Sequence, residues 1–271
     1  TSDAIVEVVR CFENSDIIHV EGKVDPIRDI EIINLELILA DLESIGNRIE
    51  KIEKKAKAGK DKDDLVELEA LKKAKSALEK NQSLRMVDFT KEEKLAIKSY
   101  NFLTLKPIIY MANINEEEVS TEDNEYVKKV KEYAALENAK VIKVCAKIEE
   151  ELSQLDDNDH KEMLLALGIE MSGLDKLIKA TYDLLGLATY FTVGTDEVRA
   201  WTFKKGMNAK ECAGIIHSDF EKGFIRAEVM SYEDLIKCGS ELKVKEAGRA
   251  RLEGKDYIMQ DGDICHFRFN V

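Results

Sequence analysis

Several things are scarce or missing in this chain, and each absence excludes a class of protein. The five cysteines, Cys11, Cys145, Cys212, Cys238 and Cys265, stand singly, with no CxxC pair and an odd count. That pattern argues against a disulfide framework or a zinc site and fits a reducing cytoplasm. No apolar run approaches the length of a membrane span. The opening Thr1-Ser2-Asp3 has no basic region followed by an apolar core, so it is not a signal peptide. It also lacks a starting methionine and is read as a truncated or processed end. The pattern GxxxxGK[ST] occurs nowhere, so the glycines that cradle phosphates and the lysine that offsets their charge are not in this sequence. Only two prolines occur, Pro26 and Pro107.

What is present is a chain able to bury a core. Its 271 residues suit two or three modules, and 44% hydrophobic with 35% charged residues does not describe a disordered chain. The formal net charge of −13 argues against binding nucleic acid or an anionic membrane with the whole surface.

A short apolar run at Ile17-Ile18-His19-Val20 predicts a buried strand. Asp25-Pro26 can open a helix, and Leu35, Ile38, Leu42, Ile45, Ile49, Ile52 and Ala56 then recur by threes and fours. Ala58-Gly59-Lys60-Asp61 breaks the pattern, and Leu65, Leu68, Leu71, Ala74 and Leu78 resume it. Two helices joined by a short turn predict an antiparallel hairpin, with a plain pair of bundle helices as the alternative. Near its tip, residues 48–62 hold seven basic side chains, Arg48, Lys51, Lys54, Lys55, Lys57, Lys60 and Lys62, against three acidic ones. A lysine-rich helix face is ordinarily just solvated. Against a global −13, this local excess is a candidate RNA or ribosome contact.

The next segment changes character. Ile108–Ala112 has strand length and composition, 122–137 has a helical pattern, and Val141–Val144 is a second buried-strand candidate. Strand–loop–helix–strand is a parallel α/β unit, whose ligands bind at the carboxyl ends of the strands. Helical spacing continues over 148–187, broken by Asp156-Asp157-Asn158-Asp159 and Gly168. From Tyr190 onward, alternation over Glu197–Phe203, Phe224–Met230 and Ile264–Val271, with short helices at 208–216 and 231–237, predicts a mixed sheet with helices on one face, resembling a β-grasp.

Four ordered stretches carry a resemblance. They are Glu197-Val198-Arg199-Ala200-Trp201-Thr202, His217 to Val229, Glu253-Gly254-Lys255-Asp256-Tyr257, and His266-Phe267-Arg268-Phe269-Asn270-Val271. They look like the terminal TGS domain of the YchF, or Obg-like, nucleotide hydrolases. Val9-Arg10-Cys11-Phe12-Glu13, Phe102-Leu103-Thr104-Leu105-Lys106-Pro107 and the basic hairpin resemble the same family. The resemblance implies an α/β plus α+β chain. A partial Ras-like P-loop NTPase domain would occupy 1–28 and 99–187, a helical coiled-coil insertion 29–98, and a TGS domain 188–271. It also implies a ribosome-associated cytoplasmic protein that in intact form hydrolyses ATP in preference to GTP, with magnesium accompanying the ATP. Neither DNA nor membrane is an expected partner.

Within that resemblance, Asn113-Ile114-Asn115-Glu116 and Cys145-Ala146-Lys147 stand where the base pocket is expected. Guanine-specific relatives end the first loop with Lys-x-Asp, whose carboxylate accepts two hydrogens from the guanine edge. Here Glu116 is one methylene longer and Asn115 replaces the lysine, so a bidentate guanine contact weakens. Adenine instead can donate its amino hydrogens to a backbone carbonyl such as that of Ile114. Without the family, Asn113–Glu116 would read as a loop of turn-formers, and Cys145 as a buried strand end. Because no phosphate loop is present, no catalytic residue and no metal or bound cofactor is expected in these 271 residues, and the polypeptide alone is expected to be inactive. The competing reading is a non-catalytic adaptor made of the hairpin and the TGS domain. His19, His160, His217 and His266 are read as structural, and Asp156–Asp159 as a helix-capping turn rather than a calcium loop.

Overall fold

The structure, a computed structural model, describes residues 2–14, 22–58, 61–194 and 197–270, and of 55–58 the backbone alone. The strand expected at Ile17–Val20 lies outside them. The chain divides into two compact units, Thr1–Thr181 and Tyr182–Val271.

In the first unit, β1 (Ile5–Arg10) pairs in parallel with a later strand, and its burial runs against the simplest reading of its sequence. Glu7 and Val9 point inward, while Val6 and Val8 are exposed. A carboxylate on the buried face hides the strand from a hydrophobic-pattern search, which explains why only the family resemblance touched it. Pro26 opens α1 (Pro26–Ala58) at its first position, and Asp25 accepts from the Arg28 amide at 3.3 Å. Asp61 caps α2 (Lys62–Leu78), so the break expected at 58–61 is where the helices part. The seam between them buries Ile38, Ile45 and Ile52 against Leu68, Leu71, Ala74 and Leu78. Leu35 and Leu65, counted in the sequence pattern, are exposed. At the root, α1 turns Ile30 and Asn34 inward instead, which rotates Leu35 away. Leu65 lies in the first turn of α2, before the buried stripe begins.

A capping box at Thr90 and Glu93 starts α3 (Lys91–Ile97). The chain then returns through 102–107, held by Asp41 of α1. The buried Asp41 carboxylate accepts from the Leu103 amide (2.9 Å), the Thr104 amide (2.7 Å) and the Thr104 hydroxyl (2.7 Å). It leads into β2 (Ile108–Asn113), α4 (Glu125–Leu136) and β3 (Lys140–Val144), the expected crossover. The sheet order is β1-β2-β3, all parallel. After it come α5 (Ala146–Leu152), α6 (Asp157–Ala166) and α7 (Gly173–Leu185). Asp156 caps α6 by accepting from the amides of Asn158 (2.9 Å) and Asp159 (3.0 Å), a capping turn as expected.

The second unit holds a five-stranded mixed sheet. It contains β4 (Leu187–Val193), β5 (Val198–Lys204), β6 (Phe224–Ser231), β7 (Arg251–Glu253) and β8 (Asp263–Phe269), ordered β5-β4-β8-β6-β7 with β4 and β8 parallel. Its helices are α8 (Ala209–Ile216), α9 (Ser218–Lys222), α10 (Tyr232–Cys238) and α11 (Glu241–Glu246). One face packs Tyr190, Phe203, Val229 and Cys265 with Cys212 of α8. The other packs Met230 and Ile264 with Val244 of α11 and Leu235 of α10. Helices therefore cover both faces, not one. The pairs Val229/Met230 and Ile264/Cys265 put apolar neighbours on opposite faces, as a sheet buried twice requires. His217 caps α9, its Nδ1 accepting from the Asp219 amide at 3.2 Å, and His266 pairs with Glu241 at 3.3 Å. Gly223 is forced by close approach, since a Cβ there would sit 2.0 Å from the Asn270 carbonyl oxygen.

Beneath the parallel sheet lies a buried polar cluster. The Arg85 guanidinium, 8% exposed, donates to Glu137 (3.0 Å) and to the Lys106 carbonyl (3.1 Å). Tyr110 reaches the same Glu137 carboxylate at 3.3 Å, and Asn34 of α1 donates to Tyr133 of α4 at 3.3 Å. Glu7 is 8% exposed, and one of its oxygens is buried without a partner. Burial pushes its carboxyl up to about 7; Arg85 opposes the rise, while Glu137 and Asp29 add to it. A raised folded pKa makes this stability fully present below about pH 4.5, the unfolded value, and lost as pH rises through about 7. In Glu7→Gln that loss disappears, so thermal or urea unfolding shows the variant gaining on the parent by on the order of 2 kcal/mol between pH 5 and pH 8. Equal pH profiles refute the assignment. Separately, Asp41→Ala orphans three donors, the two on Thr104 buried, and destabilises the chain by about 3 kcal/mol in urea titration; a loss under 1 kcal/mol would mean that water replaces the carboxylate.

Candidate functional site

The register of the parallel sheet sets Arg10 beside Asn113 and Asn113 beside Val144, so the three strands end level. Main-chain pairing runs one residue further. The Cys11 amide donates to the Asn113 carbonyl (2.8 Å), and the Ile114 amide to that of Val144 (2.9 Å). Three loops therefore leave the sheet side by side, where ligands of open α/β sheets bind.

Side chains join those loops. The Asn113 Oδ1 accepts from the Ala146 amide at 3.0 Å, tying the loop after β2 to the start of α5. The Asn115 amide donates to Glu118 (3.1 Å), closing a short 3-10 turn. Glu118 also accepts from Asn124 Nδ2 (2.8 Å), which donates to the Cys11 carbonyl (2.8 Å) as well. Asn124 caps α4 with its Oδ1 on the Val127 amide at 2.9 Å. The Glu116 carboxylate pairs with Lys147, and this hydrogen bond raises the lysine pKa.

The seven residues expected at a base pocket are thus brought together, but not all by their side chains. Ile114 and Cys145 are buried in the core with Ala112 and Val127, so they offer main-chain groups. Asn115, Glu116, Ala146 and Lys147 are exposed. An adjoining cavity of about 340 Å³ is lined by Ile114 and Cys145 together with Lys143, Glu149 and Lys176; the other five predicted residues do not line it. Glu118 and Asn124 went unnoticed in the sequence, although Asn115-x-x-Glu118 has capping-box spacing. The loop after β2 is acidic, with Glu116, Glu117 and Glu118 in a row, while Lys143 and Lys176 line the adjoining cavity and Lys147 faces Glu116.

The basic hairpin tip is only partly described. Arg48 does not belong to a free patch, because it forms a two-pronged bridge to Glu67 (2.7 and 3.1 Å) and lies over the Tyr100 ring. Lys51, Lys54 and Lys62 are exposed; the side chains of Lys55, Lys57 and Lys60 lie outside the described residues. Among the described residues no group of three or more His, Cys, Asp or Glu could hold a metal, and none of their helices is long and apolar enough to cross a membrane.

Comparison with known proteins bears on the family and the fold. Residues 187–270 match the family YchF-GTPase_C, described as a protein of unknown function (DUF933). The chain is similar to the ribosome-binding ATPase YchF of Bacillus subtilis, 59% identical over 99% of this chain and 74% of that protein. It is also similar to the protein of the same name from Haemophilus influenzae, 56% identical over 100% and 74%. The solved structure of the Schizosaccharomyces pombe YchF GTPase superposes with a TM-score of 0.83 at 37% identity, covering 98% of this chain and 72% of that one. Sharing that fold, and more than half its residues with the two bacterial proteins along nearly its whole length, the chain belongs to the YchF family.

Proposed function

We propose that this protein is a ribosome-associated nucleotide-binding protein that reads adenine with the loops 113–116 and 145–147. The observation that carries this reading is the Asn113 side chain, which locks the ends of two adjacent parallel strands at 3.0 Å. The locked loops use the amides of Ile114 and Ala146 on Val144 and Asn113, and leave the Ile114 carbonyl to meet the amino group of adenine. Glu116 is engaged by Lys147 and, as the longer acid, is poorly set for two-pronged contact with guanine. The names of the bacterial relatives, ribosome-binding ATPase, support the same reading. On it, 1–28 with 99–187 form the nucleotide-binding part, 29–98 a coiled-coil insertion and 188–271 a TGS domain.

Hydrolysis is a separate matter. The residues at the carboxyl ends of these strands hold a base, and the sequence has no phosphate cradle to position a triphosphate for attack by water. The 271-residue chain therefore binds adenine nucleotides weakly and does not turn them over. Titration with fluorescent ATP and GTP tests this: ATP binds more tightly, and Asn113→Ala weakens it about tenfold. A GTP preference, or turnover by the clean polypeptide, overturns the reading. If the chain binds ribosomes but no nucleotide at all, the adaptor of hairpin and terminal domain takes its place.

The ribosome contact is assigned to the hairpin tip, where Lys51, Lys54 and Lys62 stand exposed on a chain of net charge −13. Replacing Lys54, Lys55 and Lys57 with Glu reduces co-sedimentation with ribosomes and flattens its salt dependence. Unchanged sedimentation would leave the tip a solvated face.

A further inference from the structure

A second concentration of cations lies at the other end of the hairpin. An open groove of about 720 Å³ runs beside α3 and the approach to β2. Its walls are aliphatic, built from Leu84, Val87, Leu105 and Pro107. Lys91, Lys94 and Lys98 line it from one side and Lys106 from the other, and the one carboxylate in its lining is Asp3. The spacing of 91, 94 and 98 places three lysines on a single helical face. Leu95 stands among them, 73% exposed.

The charges of this segment are sorted. Glu93 turns to Lys73 (2.9 Å) and to the Thr90 amide (2.8 Å), and Glu92 lines a different cavity. The three lysines have no acidic partner among the described residues. On a chain of net charge −13, three unneutralised lysines beside an exposed leucine and an apolar trough form a surface with a sign and a shape.

We propose that this groove docks an acidic protein segment carrying large apolar side chains. The carboxylates would pair with Lys91, Lys94 and Lys98, while leucine-sized side chains enter the trough beside Leu95. An extended or helical peptide presents both chemistries from one strand of residues. Nucleic acid satisfies only half of the surface. Its phosphates meet the lysines, but the trough has no exposed aromatic ring for base stacking, since Phe102 in its wall is buried. Aliphatic walls against sugar and phosphate are a poor match.

The groove lies among residues 2–107, away from the 113–118 and 145–147 loops, so this proposal does not rest on the nucleotide reading. It is tested by fluorescence anisotropy with a labelled peptide repeating Glu-Glu-Leu-Leu. The comparison probes are an analogue with Gln for every Glu, one with Ser for every Leu, and poly(U) as competitor. The parent chain binds the Glu/Leu peptide, and both analogues bind at least about tenfold more weakly. Lys91→Glu, Lys94→Glu and Lys98→Glu together weaken it by about tenfold or more. The neutral triple change to Gln gives a smaller loss in the same direction, which guards against misfolding of the charge-reversed variant. Leu95→Ser weakens the Glu/Leu peptide while leaving poly(U) binding as it was. The proposal is overturned if the Ser analogue binds as well as the Leu peptide, if the lysine variants bind normally, or if poly(U) binds in the groove more tightly than the peptide.

Discussion

The first unit is organised around a single buried guanidinium. Arg85 has little access to water, and an isolated charge in that position would be strongly destabilising. It is tolerated because four parts of the chain converge on it. The segment after α2 supplies it, the end of α4 supplies Glu137, the approach to β2 supplies the Lys106 carbonyl, and β1 brings Glu7 close. Loss of Glu137 would leave the buried guanidinium without its carboxylate. The root of the hairpin is thereby fixed to the bottom of the sheet, where Ile5 also pairs with Pro107 at 2.9 Å. Counting up from that anchor, the parallel register brings Arg10, Asn113 and Val144 to one level at the top.

At that level asparagine does the joining. An amide side chain is short, uncharged and able to donate and accept at once. Asn113 uses its oxygen on the neighbouring loop, and Asn124 uses nitrogen and oxygen to hold three segments together. The result is a firm rim that presents main-chain groups. On the proposed reading such a rim tells bases apart by where its main-chain groups lie, and Glu116, Glu117 and Glu118 make its first loop acidic.

Much of this was legible in the sequence, and the failures have physical reasons. The hairpin seam showed because Ile38, Ile45 and Ile52 repeat at a helical period, and the break at 58–61 showed because glycine and a capping Asp follow one another. β2 showed as a continuous apolar run, and β3 as a short Val- and Ile-rich segment interrupted by Lys143. β1 did not, because its buried face carries Glu7, and pattern reading sorts charges outward. Leu35 was misplaced because a period assigned to one partner changes when the helix leaves α2 for the sheet. Helices on both faces of the second sheet were missed although β6 and β8 carry adjacent apolar residues, as a doubly covered strand does. Of the site, the positions 113–116 and 145–147 came from family resemblance, and their juxtaposition through Asn113 is a long-range fact that local spacing cannot contain. Arg48 looked like part of a patch because its partner, Glu67, lies nineteen residues away on the returning helix.

That last case sharpens the meaning of the chain's charge. An acidic protein repels polyanions unless its cations are held apart from its acids. Arg48, Arg85, Lys73 and Lys72 are consumed internally, by Glu67, Glu137, Glu93 and Glu53. Lysines at two places on the hairpin segment have no such partner among the described residues, near the tip at 51, 54 and 62 and at the root at 91, 94 and 98. Fields from these clusters extend about 8 Å at physiological ionic strength, shorter than the helix between them, so the two clusters act electrostatically as separate surfaces. The aliphatic trough accompanies the root cluster, and that difference in walls, rather than any difference in charge, separates the peptide proposed for the root from the ribosome contact proposed for the tip.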